Sequence, residues 1–463
     1  RVWVHDYQLM LLPAMIRKMN PNVTIGFFLH IPFPSFEIFR IFPWREELLN
    51  GVLGSDLIGF HTYDYERHFM SSVKRLLRLN VNFNQIEKNE RCITVDTFPM
   101  GIDYDKFWNA AHEHDELKIN QITDLQKQLN LHIDSSPSNK LILSIDRLDY
   151  TKGIVNRIKA FEVFLETYPQ YKEKVRLVML AVPSRSDVPQ YKKLKRQTDE
   201  IVGRVNGKFS TVNWTPIWYF YRSMSFDNLI DLYTSSDIAM ITPVRDGMNL
   251  VAKEYVSTRT SKKGVLILSE MAGASQEMNE AILVNPSDLN ALADSIKKAV
   301  EMPDEEQIKR NNTLQKRLKR YNVHKWANDF MSSLIKTENQ MDSVKSTIIG
   351  AKENKKIISS FKNANNRLLF FDYDGTLVDF NTNPELAIPG KEILKNLEII
   401  SKMPNTHLVI NSGRDGAFLD KHFKNYNISL IAEHGYKYKL RNETQWSKNG
   451  VIKNEWMNHI LTL

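Results

Sequence analysis

The sequence RDGMNLVAKE, residues 245–254, follows an apolar run at Ile238–Ile241 and leads into a segment that predicts a helix ending near Thr258. A strand, a tight turn and a helix in this order point backbone N–H groups and the positive end of a helix dipole at one spot. That spot favours an anion, and a phosphate fits it best. The carboxylates of Asp246 and Glu254 flank the spot and suit sugar hydroxyls. A nucleotide sugar offers both groups, because its diphosphate lies between two hydroxyl-rich sugars.

The composition is that of an ordinary soluble chain. It has 463 residues, of which 42% are hydrophobic and 25% charged, and this length allows two or three domains with a core each. No apolar run approaches the roughly 20 residues that span a bilayer. Cys92 is the single cysteine, which excludes an intrachain disulfide and a zinc site built from several cysteines. These features predict a cytoplasmic protein with no membrane partner.

The formal net charge of +8 is not arranged like a nucleic-acid-binding surface. Such surfaces usually carry a basic stripe interleaved with aromatic side chains. Here the basic residues are scattered, and short runs such as KKLKR at 192–196 predict solvated helix faces. We therefore expect no nucleic acid partner, and a modest positive charge that suits small phosphorylated substrates.

Strand-like and helix-like segments alternate along most of the chain, which predicts an α/β fold with doubly wound parallel sheets. We expect two such lobes joined by a polar passage, then a linker and a third α/β domain that begins at Arg367. One long helix over residues 317–334 is predicted to close the second lobe. Because the sequence opens inside a predicted strand at Arg1, we expect a fragment whose first lobe is incomplete. The expected divisions are 1–115, 116–138, 139–335, 336–366 and 367–463.

Five polar side chains follow apolar runs, at the positions where ligands bind in open α/β sheets. A single charged residue after a strand is usually a solvated loop residue. Five of them on two sheets predict a shared cleft. They are Asp6, His30, Arg147, Arg185 and Asp246.

The segment RLDYTKG, residues 147–153, carries two cations in a predicted strand-to-helix turn. Arg147 as a planar fork and Lys152 as a point charge are suited to clamping a diphosphate. The alternative is a pair of surface cations, one of them bonded to nearby Asp149. The residues alone leave both interpretations open.

Six strings of the sequence resemble the trehalose-6-phosphate synthase family, which are retaining glycosyltransferases with the two-lobed GT-B architecture. The resemblance covers residues 1 to about 335, and the strings occur in the family's order. They are WVHDYQL (3–9), GFFLHIPFPS (26–35), FPMGID (98–103), RLDYTKG (147–153), VPSRSDVP (182–189) and RDGMNLVAKE (245–254). The resemblance implies transfer of glucose from UDP-glucose to glucose 6-phosphate, giving α,α-trehalose 6-phosphate. It implies no metal or other cofactor for this transfer, and it leaves a homo-oligomer open.

The resemblance also implies roles at the donor site. Arg147 and Lys152 would hold the diphosphate and neutralise the charge that develops on UDP. Backbone amides around Asn249 and Leu250 would help them. Glu254 would bind the ribose hydroxyls.

The remaining implied roles concern the two sugars. Asp246 would bind hydroxyls of the transferred glucose, and His30 would contact that glucose near the reacting centre. Asp6 would bind acceptor hydroxyls, and Arg185 would bind the acceptor phosphate. Front-face attack is implied, with a leaving phosphate oxygen taking the acceptor proton. The implied catalytic set is His30, Arg147, Lys152 and Asp246.

The segment DYDGT, residues 372–376, follows an apolar strand-like run and resembles the haloacid dehalogenase-type phosphatases. Their chemistry uses a nucleophilic carboxylate and an acid–base carboxylate beside Mg²⁺. The resemblance assigns these roles and the metal contacts to Asp372 and Asp374, and it assigns a hydrogen bond with the phosphoryl group to Ser412. The string EHG, residues 433–435, resembles the trehalose-phosphate phosphatase branch.

The phosphatase resemblance also implies a later lysine and a later acidic pair, and the chain ends at Leu463 before either. We therefore expect about half of this domain and inefficient hydrolysis of phosphate esters.

Three alternatives stay open on the sequence. One is a retaining GT-B transferase with another acceptor, against which Arg185 argues because it suits a phosphorylated acceptor. Another is a non-catalytic protein that senses sugar phosphates. The third gives the phosphatase-like domain a structural role only.

Overall fold

The computed structural model describes residues 1–89, 91–118, 139–345, 351–379 and 384–449, and the chain groups into two compact units, 1–345 and 346–463. Most of the expected passage at 116–138 lies outside the described residues. Within the described ranges, no helix is both long and apolar enough to cross a bilayer.

The first lobe is a sheet with helices packed against it. Its strands are β1 (Val2–His5), β2 (Ile25–Phe28), β3 (Leu57–Phe60), β4 (Asn80–Asn82), β5 (Gln85–Lys88) and β6 (Arg91–Thr97). Its helices are α1 (Leu12–Met19), α2 (Phe36–Phe39), α3 (Arg45–Val52) and α4 (Tyr63–Ser72). Helix α5 (Tyr104–Lys118) follows β6 along the chain and packs on the second lobe, where Tyr104 belongs to a core cluster. The strand order is β1-β2-β3-β6-β5-β4. Strands β1, β2, β3 and β6 run parallel, whereas β4 and β5 form an antiparallel hairpin that departs from the expected parallel pattern.

The second lobe is a parallel sheet covered by helices. Its strands are β7 (Lys140–Arg147), β8 (Val175–Val182), β9 (Ile217–Phe220), β10 (Ile238–Ile241), β11 (Val265–Ser269) and β12 (Ile282–Val284). Its helices are α6 (Ile154–Thr167), α7 (Pro189–Phe209), α8 (Phe226–Ser235), α9 (Leu250–Ser257), α10 (Leu289–Val300) and α11 (Asp304–Arg320). Helix α12 (Val323–Lys345) follows α11 and packs on the first lobe. The described strands follow the order β12-β11-β10-β7-β8-β9.

The strand order of the second lobe reverses between β7 and β10. From β7 the chain adds β8 and β9 on one side, and from β10 it adds β11 and β12 on the other. Ligands of doubly wound sheets bind at this switch point, beyond the carboxyl ends of the strands. The predicted cation segment 147–153 and the predicted junction 245–254 follow these two strands, so the topology brings them together.

Both faces of the second sheet are buried, as its apolar strands require. Along β7, Ile142 belongs to the core cluster on one face, while Leu141 and Leu143 belong to the cluster on the other. Phe161 and Phe164 of α6 are fully buried in the first of these clusters. This packing fixes the strand ends that carry the candidate site.

The expected single helix over 317–334 is wrong, because α11 ends at Arg320 and α12 starts at Val323. Asn322 explains the break, since its side-chain oxygen accepts a hydrogen bond from the Lys325 N–H at 3.0 Å and starts a new helix. Helix α12 then crosses to the first lobe, where Trp326, Phe330 and Leu334 pack with Phe28 of β2. The chain thereby ties its two lobes together.

The second unit holds a five-stranded sheet among its described residues, in the order β13-β14-β15-β16-β17. These are β13 (Arg367–Asp372), β14 (Thr406–Asn411), β15 (Ser429–Ala432), β16 (Lys437–Lys439) and β17 (Ser447–Lys448). The first three strands are parallel and the last two pair antiparallel. The helices of this unit are α13 (Ala351–Asn363), α14 (Lys391–Ser401) and α15 (Gly416–Phe423).

Candidate active site

A cavity of about 570 Å³ lies between the two lobes of the first unit, at the carboxyl ends of β7 and β10. The first lobe contributes His30, His61 and Met100 to its wall, and the second lobe contributes the rest. The residues predicted for the donor and for catalysis all line this cavity. They are His30, Arg147, Lys152, Asp246, Asn249, Leu250 and Glu254.

Helix α9 begins at the cavity wall with an asparagine cap. Asn249 has a φ of 69°, a left-handed conformation that asparagine tolerates better than most residues. Its side-chain oxygen accepts a hydrogen bond from the Ala252 N–H at 3.2 Å, and its amide nitrogen donates to Asp246 at 3.0 Å. Leu250 and Val251 open the helix and line the cavity. The positive end of the helix dipole is therefore available to an anion there.

Gly247 lets the turn before α9 approach the first lobe. A Cβ atom at this position would lie 2.0 Å from the carbonyl oxygen of His30, which no side chain can tolerate. Gly273 is packed in the same way, since its Cβ would lie 2.0 Å from the carbonyl oxygen of Gly247. These contacts bring the Asp246 side of the cavity against His30.

The two predicted cations, Lys152 and Arg147, have different surroundings. The Nζ atom of Lys152 lies 2.5 Å from Asp246 and 3.9 Å from Asp146. Arg147 is exposed, and its guanidinium makes no hydrogen bond or ion pair with any residue that the structure describes. The Asp149 carboxylate accepts from Thr151 and from the Tyr191 hydroxyl and bonds neither the Arg147 guanidinium nor the Lys152 ammonium. The interpretation in which Asp149 holds one of the cations is therefore wrong.

Behind Lys152 lies a buried ion pair that the sequence reasoning missed. Arg157 of α6 is fully buried and pairs with Asp146. It also donates hydrogen bonds to the Ser144 hydroxyl at 2.7 Å, the Thr242 hydroxyl at 3.1 Å and the Lys152 carbonyl at 2.6 Å. The pair fixes the backbone that carries Lys152.

His30 and Asp6 meet at the ends of β1 and β2. The His30 N–H donates to the Asp6 carboxylate at 3.3 Å, and the His30 ring lines the cavity. Burial lowers the pKa of His30, although the nearby Asp6 carboxylate opposes this shift. Asp6 has a φ of 70°, a strained backbone of the kind that clusters at functional sites.

Glu254 lies at another part of the cavity wall, one turn into α9. The Tyr233 hydroxyl donates to one of its carboxylate oxygens at 2.7 Å. Burial raises the pKa of Glu254 above its ordinary value, and the hydrogen bond from Tyr233 only partly offsets this. A carboxylate oxygen so placed can accept hydrogen bonds from a hydroxylated ligand.

Arg185 bridges the two lobes outside the cavity lining. Its guanidinium donates to the Tyr7 hydroxyl of the first lobe at 2.6 Å and to the Tyr191 hydroxyl of its own lobe at 3.1 Å. The side chain is exposed, so its donors remain accessible to an anion. Asp6 is the sequence neighbour of Tyr7, which places the two predicted acceptor residues on one side of the cleft.

Residues 1–336 match the model of glycosyltransferase family 20. The chain belongs to glycosyltransferase family 20. Residues 370–462 match the trehalose-phosphatase model. The family 20 part has the GT-B fold, with its candidate site in the cleft between the lobes.

Relatives of this family 20 chain include bifunctional and single-function proteins. It is 42% identical to the bifunctional trehalose-6-phosphate synthase/phosphatase of Thermoproteus tenax, over 98% of this chain and 61% of that protein. It is 45% identical to the UDP-forming α,α-trehalose-phosphate synthase of Pichia angusta, over 72% of this chain and 70% of that protein. The chain thus spans about three-fifths of the length of the bifunctional relative.

Solved structures similar to the family 20 chain include ligand complexes. The α,α-trehalose-phosphate synthase of Burkholderia xenovorans in complex with glucose 6-phosphate aligns with a TM-score of 0.67 and 34% identity, over 72% of this chain and 73% of that one. An Escherichia coli structure with bound UDP-2-fluoro glucose aligns with a TM-score of 0.68 and 34% identity, over 72% of each chain.

In the phosphatase-like unit of the family 20 chain, Asp374 forms an ion pair with Arg414. The guanidinium binds both oxygens of the Asp374 carboxylate, and this hydrogen bonding lowers its pKa. Ser412 is buried, and its hydroxyl oxygen accepts from the Arg414 N–H at 3.1 Å. Asp372 ends β13 and is exposed.

The two predicted metal ligands, Asp372 and Asp374, do not by themselves make a magnesium site. Mg²⁺ requires near-octahedral coordination by oxygen atoms. Among the described residues, no group of three or more potential ligand side chains could hold a metal ion. The donor set described for Mg²⁺ is therefore insufficient, and we derive no catalytic step through the metal.

The sequence reasoning missed two residues that line the cavity of the family 20 chain, His61 and Tyr233. His61 directly follows β3, so the rule that selected polar residues after strands applies to it as well. Tyr233 carries no such signal, because it lies within α8 and reaches Glu254 only through the packing of that helix.

Proposed function

We propose that this chain transfers glucose from UDP-glucose to glucose 6-phosphate, releasing UDP and forming α,α-trehalose 6-phosphate. The observation that carries the proposal is the cavity in which the start of α9, two cations and the carboxylates of Asp246 and Glu254 converge. Its chemistry matches a nucleotide sugar, since the cations suit the diphosphate and the carboxylates suit the sugars. The synthases among its relatives are named for a UDP-forming reaction.

The donor diphosphate would lie between the cations and the start of α9. Arg147 has its guanidinium free for it, and Lys152 would exchange Asp246 for a phosphate oxygen. The exchange would free the Asp246 carboxylate for hydroxyls of the transferred glucose. Two fixed cations stabilise negative charge on a departing diphosphate without solvent reorganisation. Glu254 would accept hydrogen bonds from the ribose.

The acceptor would bind at the first-lobe side of the cleft. Asp6 would bind its hydroxyls, and Arg185 would bind its 6-phosphate with donors that now bond Tyr7 and Tyr191. A charge-assisted bond to phosphate is stronger than a bond to a neutral hydroxyl, so the phosphate would compete well for Arg185. His30 would contact the donor glucose near the reacting carbon.

In the proposed reaction the acceptor hydroxyl oxygen bonds to the anomeric carbon of glucose as the bond from that carbon to UDP breaks. Attack comes from the face that UDP leaves, which retains the anomeric configuration. A leaving phosphate oxygen takes the acceptor proton, so charge and atoms balance without a protein nucleophile.

The test is a calorimetric titration of the chain with UDP-glucose, followed by addition of glucose 6-phosphate while UDP release is measured. Binding followed by acceptor-dependent release supports the proposal. Binding with no release favours the alternative of a non-catalytic sensor. Release with other acceptors but not with glucose 6-phosphate favours a different transferase. No binding of UDP-glucose contradicts the donor site.

For the second unit we propose a phosphatase-like site in which Asp372 is the nucleophile and Asp374 the acid–base group. Ser412 would hydrogen-bond the phosphoryl group of trehalose 6-phosphate. The support is the trehalose-phosphatase match and the position of both carboxylates at the carboxyl end of β13. Hydrolysis of trehalose 6-phosphate with and without Mg²⁺ tests this.

A further inference from the structure

His30 is the end of a column of aromatic rings that contact one another. Phe330 of α12 stacks on Trp3 with ring centroids 4.4 Å apart, and Trp3 packs on His5 at 4.6 Å. His5 then meets His30 edge to edge, with ring centroids 5.3 Å apart and an interplanar angle of 18°. Trp3 and His5 share one face of β1 because strand side chains alternate. The column therefore runs from the helix that joins the lobes to the cavity wall.

A direct hydrogen bond joins the last two rings of the column. Nδ1 of His5 lies 3.0 Å from Nε2 of His30. At this distance one nitrogen must carry the proton and the other must accept it. Burial lowers the pKa of both rings, and the Asp6 carboxylate opposes this in each case. Both imidazoles are therefore neutral at pH 7, and the third ring nearby, His61, is neutral too because deeper burial lowers its pKa further.

We propose that His5 is a positioning residue that fixes the ring orientation and the tautomer of His30. The inference rests on the proposed glycosyl transfer for its consequence, since it concerns how His30 meets the donor glucose. Only His30 of this pair lines the cavity, so His5 acts through it.

The tautomer follows from the atoms that the bond joins. A neutral imidazole intrinsically prefers its proton on Nε2. If Nε2 of His30 donates to Nδ1 of His5, both rings keep that preferred form. The reverse arrangement would place both rings in the less favoured form. His5 therefore holds His30 with a proton on Nε2 and leaves Nδ1 of His30 as a hydrogen-bond acceptor.

The consequence is a defined chemistry at His30. An imidazole with Nδ1 unprotonated can accept a hydrogen bond from a sugar hydroxyl but cannot donate one at that atom. Without His5 the ring would exchange between tautomers and rotate more freely. A substrate would then meet the productive form only part of the time.

Two variants separate the hydrogen bond between His5 and His30 from the packing of the His5 ring. His5→Phe keeps an aromatic ring beside Trp3 and His30 but has no nitrogen. His5→Asn removes the ring but offers a side-chain oxygen near the position of Nδ1. In the wild-type chain, ¹⁵N-resolved NMR of the imidazoles should show His30 with Nε2 protonated and Nδ1 unprotonated. Comparison with a His30→Gln variant assigns those resonances.

We expect His5→Phe to average the two His30 nitrogen resonances toward a tautomer mixture, whereas His5→Asn keeps them near the wild-type positions. Loss of the bond should lower kcat for UDP release about tenfold with little change in KM for UDP-glucose, as expected for roughly one hydrogen bond that orients a catalytic group. His5→Asn should recover most of that rate.

Two results would overturn the proposal. One is an unchanged His30 tautomer in His5→Phe, and the other is an equal rate loss in both variants. The NMR readout also keeps this test distinct from the proposed function. If the wild-type chain fails to bind UDP-glucose while the tautomer responds to His5→Phe, the glycosyl transfer fails and the positioning of His30 stands.

Discussion

The ammonium of Lys152 lies 2.5 Å from a carboxylate oxygen of Asp246. The cation proposed to hold the diphosphate is thus bonded to the carboxylate proposed to hold the glucose. Both side chains are largely buried, with exposed fractions of 15% and 13%, so the pair is poorly screened by solvent. A bound donor would give each of them a new partner, which couples the two ends of the donor site.

Replacing Lys152 should therefore weaken donor binding more than replacing a surface lysine does. We expect Lys152→Ala to reduce the binding free energy of UDP and UDP-glucose by about 2–3 kcal/mol, because the charge-assisted contact between the ammonium and the diphosphate is lost. Calorimetry measures the dissociation constants. Lys192→Ala, at an exposed position of α7, is the matched control. An unchanged dissociation constant would remove Lys152 from the proposed diphosphate clamp.

Arg185 should discriminate a phosphorylated acceptor from a free sugar. We expect Arg185→Met to raise KM for glucose 6-phosphate about tenfold or more, since a charge-assisted bond to phosphate is lost. Any reaction with free glucose, and the binding of UDP-glucose, should not change. Steady-state assays of UDP release with both acceptors measure this, with the exposed Arg196→Met as the control. Equal losses with both acceptors would contradict a role in phosphate binding.

The sequence predicted the ends of the strands better than it predicted the partners of the side chains. The junction at 245–254 and the cations of 147–153 carry local signals, because a strand, a turn and a helix form from neighbouring residues. The pairing of Lys152 with Asp246 joins residues 94 positions apart. Such contacts depend on which strands are neighbours in the sheet, and local periodicity does not contain that information.

Two further features of the structure were not predicted from the sequence. The break between α11 and α12 depends on one cap at Asn322 in a sequence that is otherwise helical. The bond between His5 and His30 depends on the register of β1 with β2, which pairs His5 with Phe28. A bonded pair of this kind appears in the sequence only as two separate histidines near the ends of two strands.

Arg157 should be a major source of stability for the second lobe. Arg157→Met would leave the buried Asp146 carboxylate without its partner, and breaking a buried pair in this way costs about 3–5 kcal/mol of unfolding free energy. Urea unfolding measures the loss. Arg204→Met removes a partly exposed arginine from its pair with Glu162 and should change stability far less. Equal losses of unfolding free energy in the two variants would mean that the buried pair stabilises the lobe no more than the pair of Arg204 with Glu162 does.

His61 should make the first unit sensitive to mild acid. Burial lowers the pKa of His61 well below its ordinary value of 6.5. The unfolded chain therefore binds this proton first, so the stability that neutral His61 contributes above pH 6.5 is lost as the pH falls toward the folded pKa. His61→Phe should make the decline in unfolding free energy between pH 7 and pH 5 shallower by up to about 1.4 kcal/mol per pH unit.

The control for this pH effect is His112→Phe, at an exposed histidine of α5. Its urea unfolding curves should keep the wild-type dependence on pH. A wild-type slope in His61→Phe would show that the ring is not a buried neutral group.

The two proposed sites should respond to mutation independently. Asp372→Asn removes the proposed phosphatase nucleophile and should abolish any hydrolysis of trehalose 6-phosphate. It should leave the dissociation constant for UDP-glucose unchanged, because Asp372 belongs to the second compact unit while every residue lining the donor cavity belongs to the first. Lys152→Ala is the reciprocal variant and should spare hydrolysis. Calorimetry and a phosphate-release assay on both variants measure the two activities side by side. Loss of donor binding in Asp372→Asn would contradict separate sites and would imply that the second unit supports the first.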